Sequence, residues 1–154
     1  MTLTLIRIPS LALLCALALG AHADDDTTGR APLLPAYVQE CGACHVAYPP
    51  SMLPASSWQR LMGNLKSHFG SDASVDAATT QQLTTWLTAN AGSGKRAEAT
   101  RDDRITSSAW FVREHREARH WFGTAKVKTA ADCAACHTKA AEGSYREREI
   151  RLPR

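Results

Sequence analysis

The chain has 154 residues, 44% of them hydrophobic and 21% charged, with a formal net charge of +3 and five cysteines. That length fits one domain with a modest core rather than several. The charge is too slight to argue for nucleic acid, and no alternating apolar run is long enough for a sheet.

The N-terminus reads as a targeting segment. Arg7 supplies a positive start, Leu11 to Leu19 an apolar core, and Ala21-His22-Ala23 an A-x-A cleavage site before Asp24-Asp25-Asp26. A membrane span needs roughly 20 apolar residues, more than this run supplies. The expectation is a signal peptide over residues 1–23, cleaved after Ala23, and an exported protein. Cys15 falls within that segment, without the small residue expected just ahead of a lipid-modified cysteine. No second apolar run follows, so the mature protein is expected to be soluble.

Residues 24–35 are polar and then proline-bounded, and read as a flexible arm. Residues 36–154 are expected to form one domain. Ala36 to His45 predicts a short helix ending in Cys41-Gly42-Ala43-Cys44-His45, and Pro49-Pro50 and Pro54 break the chain after it. Ser56 or Ser57 can cap a second helix to Phe69, stopped by Gly70, with Trp58, Leu61, Leu65 and His68 on one apolar face. Val75 and Asp76 look like a staple and cap for a third helix through Ala91, with Leu83, Trp86 and Leu87 buried and Gly92 ending it.

Gly92 to Arg104 reads as a linker. A fourth helix is predicted from Ser107 or Ser108 to Phe122, with Phe111, His115, Ala118 and Phe122 as its stripe. Ala130 to Glu142 predicts a fifth, carrying Cys133-Ala134-Ala135-Cys136-His137 and stopped by Gly143, before a charged tail. The fold class is therefore all-α, with about five short helices.

The chain is organised around the repeated pentapeptide. C-x-x-C-H is the pattern of c-type haem attachment. Each thiol adds across a vinyl group of the haem, forming a thioether, and the adjacent His meets the iron from one side. Cys41, Cys44, Cys133 and Cys136 are all the cysteines outside the signal segment, which argues for two covalently attached haem c groups. A zinc ribbon would place its cysteine pairs closer together, and a thioredoxin-like site would need a βαβ pattern.

Charge divides the chain. Residues 24–92 hold three basic and six acidic residues, and residues 93–154 fourteen basic and nine acidic. The ionised propionates of two haems would more than cancel the net positive charge. The basic half can neutralise propionates and offer a docking face to an acidic partner.

The second axial position decides function, because His or Met closes an iron for electron transfer and an open position admits small ligands. Seventeen residues follow His137, and none is His or Met. The second ligand to that iron must come from upstream, where His115 on the apolar stripe is favoured over His120, which shares its face with Arg113, Arg116 and Glu117. For the iron of His45, His68 is favoured over Met62 and Met52. Two bis-His haems of comparatively low potential would make an electron carrier rather than an enzyme. The alternative is one open iron that binds or reduces oxygen, nitric oxide or peroxide.

Several stretches carry a family likeness: Cys41 to His45, Trp58 to Met62, His68-Phe69-Gly70, Asp76 to Ala91, Arg104-Ile105-Thr106, Trp110 to Glu117, Cys133 to His137, and Gly143-Ser144-Tyr145. In these the chain resembles the small periplasmic dihaem cytochromes c of bacteria, the DHC family, over about residues 37–153. The resemblance implies two bis-His haems, a periplasmic location and an electron-transfer role. It also implies partners: a membrane cytochrome b as electron source and a soluble monohaem cytochrome that binds oxygen.

Overall fold

A computed structural model describes residues 32–154. The expected signal peptide and residues 24–31 of the expected arm lie outside the described residues. Four α-helices are present among the described residues: α1 (Pro35–Cys41), α2 (Ala55–Met62), α3 (Ala77–Ala89) and α4 (Ala109–Glu114). Eight short 3-10 turns join and follow them, and there is no strand among the described residues. The all-α expectation holds, but the helices are shorter than the sequence predicts.

The core lies between α2 and α3, with α1 packed against α3. Tyr37, Leu53, Trp58, Met62, Leu83 and Leu87 form one buried cluster, with Leu61, Leu65 and Trp86 partly buried against it. Leu83 and Leu87 are 1% and 0% exposed, and burying such a side chain contributes about 1.5–3 kcal/mol. Asp76 caps α3 as expected, accepting the Thr79 N–H at 2.9 Å. The capping expectation at α2 is corrected. Pro54 is its N-cap residue and uses no side-chain hydrogen bond, while Ser57 is buried inside the helix.

Helices α1 and α3 stop at Cys41 and Ala89, short of the expected His45 and Ala91, and α2 and α4 stop earlier still for local reasons. Helix α2 ends at Met62 because Gly63, a poor helix former, closes it on the Gln59 carbonyl. His68 thus lies beyond the helix, after a separate turn at Leu65–Ser67. Helix α4 ends at Glu114, since the His115 side chain bonds back to the Phe111 carbonyl and the chain tightens into i→i−3 bonds.

The expected fifth helix is absent. The Arg151 N–H, from the C-terminal tail, takes the Cys136 carbonyl at 2.9 Å, and the Ala140 N–H turns instead to the His137 carbonyl at 3.0 Å rather than propagating a helix. Two turns, Cys133–Ala135 and Ala140–Glu142, stand in its place.

The linker at 92–104 is anchored at both ends. Gly92 donates to the Leu53 carbonyl at 2.9 Å, and a Cβ there would collide with the Ser51 carbonyl oxygen. Arg60, on α2, holds Asp103 through two bonds of 2.8 and 2.6 Å.

Candidate haem sites

The two motifs are single turns rather than pieces of long helix. Cys41 is the last residue of α1, and the chain turns through Gly42 to bring His45 inward. At the second motif the His137 N–H closes on the Cys133 carbonyl at 2.8 Å, making one helical turn from first cysteine to histidine. Burial pushes the Cys41 thiol up to about 11, with Glu40 adding to the effect. Burial also pushes Cys133 up to about 11, helped by Asp132. Such surroundings disfavour a thiolate and suit an uncharged sulfur, which is what a thioether provides.

Opposite each motif histidine stands a second imidazole. The ring centroids of His45 and His68 are 6.3 Å apart, with planes 25° from parallel. Those of His115 and His137 are 6.0 Å apart, with planes at 63°. A first-row metal takes an imidazole nitrogen at about 2 Å, with the ring centroid about 1 Å farther back, so rings on opposite sides of one ion stand about 6 Å apart. Both pairs have the separation that one iron between them requires.

In each pair one ring is held by a carbonyl. Carbonyl oxygens only accept, so His45 donates from Nδ1 to Val46 at 2.7 Å and His115 from Nδ1 to Phe111 at 3.0 Å. That leaves the Nε2 lone pair of each available to a metal. The other ring in each pair is held by packing. His68 lies against Phe69 with centroids 4.8 Å apart, and His137 against Tyr145 at 5.1 Å.

The Nδ1 atoms of His68 and His137 are buried with no hydrogen-bond partner. Burial lowers the pKa of both, and the facing imidazole lowers it further, with Arg104 adding to the effect at His68. The neutral form this favours is the one that binds metals. Donor types and ring separation fit a haem iron at each pair.

The sulfur candidates are placed otherwise. Met62 is packed into the core cluster, and Met52 is buried at 7% exposure. His120 is exposed and lies tilted against Trp121, with centroids 4.0 Å apart and planes at 43°. A cavity of about 200 Å³ opens beside His68, lined in part by Arg60, Asn64 and Phe69. The larger one, about 480 Å³, is lined by Glu98 to Asp102 and Ser107 to Ala109, away from all four rings.

Sequence reasoning missed Tyr48, whose ring stacks on His45, and Arg104, whose guanidinium lies 4.0 Å from the centre of the Phe69 ring. A tyrosine three residues after a motif histidine was the available signal for the first. Arg104 stood out only as part of a stretch carrying the family likeness, because its contact depends on the linker folding back.

Comparison with known proteins gives a consistent result. The model of the dihaem cytochrome c family matches residues 37–145. A diheme cytochrome c from Shewanella baltica OS155 is 35% identical, with a TM-score of 0.67, covering 77% of this chain and 92% of that one. A DHC crystal structure from Rhodobacter sphaeroides is 41% identical, with a TM-score of 0.62, covering 73% of this chain and 96% of that one. A second diheme cytochrome c structure from Rhodobacter sphaeroides is 38% identical, with a TM-score of 0.65, covering 75% of this chain and all (100%) of that one. No curated protein matches the chain.

Proposed function

Because this chain belongs to the dihaem cytochrome c family, an electron-transfer family with two covalently bound c-type haems, we propose that it is an electron carrier in which both irons are closed by histidine pairs. His45 and His68 take one iron, and His115 and His137 the other. The observation that carries this reading is the centroid separation within each pair, 6.3 and 6.0 Å.

Haem iron supplies reversible one-electron chemistry. The protein's part is to hold that chemistry still. Cys41 and Cys44 would hold one macrocycle, and Cys133 and Cys136 the other, by thioether bonds. The Val46 and Phe111 carbonyls keep His45 and His115 in the tautomer that presents Nε2. Two neutral imidazoles favour the ferric state more than a His/Met pair does, giving comparatively low potentials. With two histidines holding each iron, no substrate would need to approach the metal, and the protein would act as a carrier rather than an enzyme.

The same reading places the mature protein in the periplasm, after cleavage behind Ala23. The partners proposed for it are a membrane cytochrome b as donor and a soluble monohaem, oxygen-binding cytochrome as acceptor, on the strength of the family likeness. No helix among the described residues is long and apolar enough to cross a membrane.

The deciding experiment is the absorption spectrum of the reduced, purified protein with and without carbon monoxide. An unchanged low-spin spectrum is expected. A shift in about half of the haem would show one open iron and replace the carrier with a gas-binding or catalytic protein.

A further inference from the structure

The chain has three tyrosines, and all three lie around the histidines and the motifs. Tyr48 stacks its ring on His45, with centroids 4.6 Å apart and planes only 12° from parallel. Its hydroxyl donates to the Ala131 carbonyl at 2.9 Å, a residue 83 positions away and two before Cys133. Tyr37, 2% exposed, donates to the Tyr48 carbonyl at 3.0 Å and packs on Trp86 of α3 with ring centroids 5.3 Å apart. Tyr145 lies against His137.

We propose that Tyr48 is a positioning residue that couples the two haem sites. Its ring fixes the plane of the His45 imidazole, and its hydroxyl pins the strand of chain that delivers Cys133. The proposal rests on His45 being an iron ligand, as read above.

Three features of the geometry support it. A tyrosine has only two side-chain torsions, so a ring anchored at both ends is a stiff strut. The strut's own backbone is held from a third direction by Tyr37, which the core immobilises. And the bond it makes is to the main chain immediately before the second motif, whose turn begins with the Ala135 N–H on the Asp132 carbonyl at 3.2 Å. A tyrosine serving only to fill space would need neither the near-parallel stack nor the long-range bond. With both, the orientation of one iron's ligand and the position of the other haem's attachment point depend on the same side chain, which sets the relation between the two haems.

Two variants of the holoprotein separate the two halves of the strut. Tyr48→Phe keeps the stack and deletes the tie. The expected result is amide hydrogen exchange about fivefold faster over 132–136, the factor for one lost neutral hydrogen bond, together with slower electron exchange between the haems. The ferric haem-methyl NMR pattern of the first haem, which reports imidazole orientation, should match wild type. Tyr48→Leu removes the stack as well, and should shift that pattern.

Wild-type amide exchange and inter-haem electron exchange in Tyr48→Phe would overturn the coupling role. So would an unshifted methyl pattern in Tyr48→Leu. Carbon monoxide binding by the first haem of the wild-type protein would instead sink its closure by His68 while leaving His45 and the Tyr48 tests standing, so the two failures are distinguishable.

Discussion

Phe111 holds His115 twice. The two rings lie 3.9 Å apart and 16° from parallel, and the Phe111 carbonyl accepts the His115 Nδ1–H at 3.0 Å. One residue thereby sets both the plane and the tautomer of the imidazole that faces His137.

His115→Ala should therefore open the second haem. The expected outcome is a high-spin signal and carbon monoxide binding by about half of the haem in the reduced protein. His120→Ala should leave the spectrum unchanged, because that ring is exposed and lies tilted against Trp121. Titrating both variants with carbon monoxide distinguishes them. An open haem in His120→Ala alone would transfer the ligand role to His120.

Helix α4 has six residues, too few to be stable by propensity. Its start depends on Ser108, which is 2% exposed and accepts the Phe111 N–H at 3.1 Å. Ser108→Ala should lower stability by about 1 kcal/mol, the usual loss for an N-cap. Because that cap orders the residue which holds His115, the variant should also show a high-spin fraction confined to the second haem. Urea denaturation followed at both haems measures the two effects together; a stability loss with no spin change would detach the cap from the ligand.

The motif residues were legible because covalent attachment demands a fixed local pattern, and the repeat gave the cofactor count directly. The His68 and His115 assignments rested on helical faces that turn out not to exist at those residues. The helices end at Met62 and Glu114, yet both imidazoles meet their partners. What the apolar spacing recorded was inward-facing side chains, and tight turns preserve that as well as a helix does. The missing fifth helix was not legible, since the Cys136 carbonyl takes its bond from Arg151, fifteen residues away. Asp76 and Ser108, by contrast, cap with bonds only three residues long, and the sequence placed both, Ser108 as one of two neighbouring serines.

Asp103 predicts a pH effect. The Arg60 guanidinium, bonded to it in a fork, holds its carboxyl below the usual range. A carboxyl depressed in the folded state contributes stability that is present above the ordinary value of about 3.9 and is lost as pH falls through the folded value. Asp103 also sits at φ 54°, in the left-handed region that Asn tolerates. Asp103→Asn should therefore lower the thermal midpoint at neutral pH while keeping the turn, and the gap to wild type should narrow steadily below about pH 4. Asp72, Asp76 and Asp102 are also depressed but are common to both proteins, so the difference between the two curves isolates Asp103. A gap that stays constant into acid would mean the pair contributes through shape rather than charge.

His68 is fixed by its backbone more than by its side chain. Its N–H donates to the Ser71 carbonyl at 2.8 Å and the Ser71 N–H donates back at 3.0 Å, with Phe69 and Gly70 both at positive φ between them. This reciprocal turn holds the His68 Cα in place whatever residue stands there. A methionine at 68 should then present a thioether to the iron without moving the chain, and Met ligation raises a haem potential. Potentiometric titration of His68→Met should show the first haem shifted to higher potential and the second unchanged. If both potentials stay where they are in the wild type, His68 does not ligate the first iron, and the 6.3 Å pairing with His45 reflects packing alone.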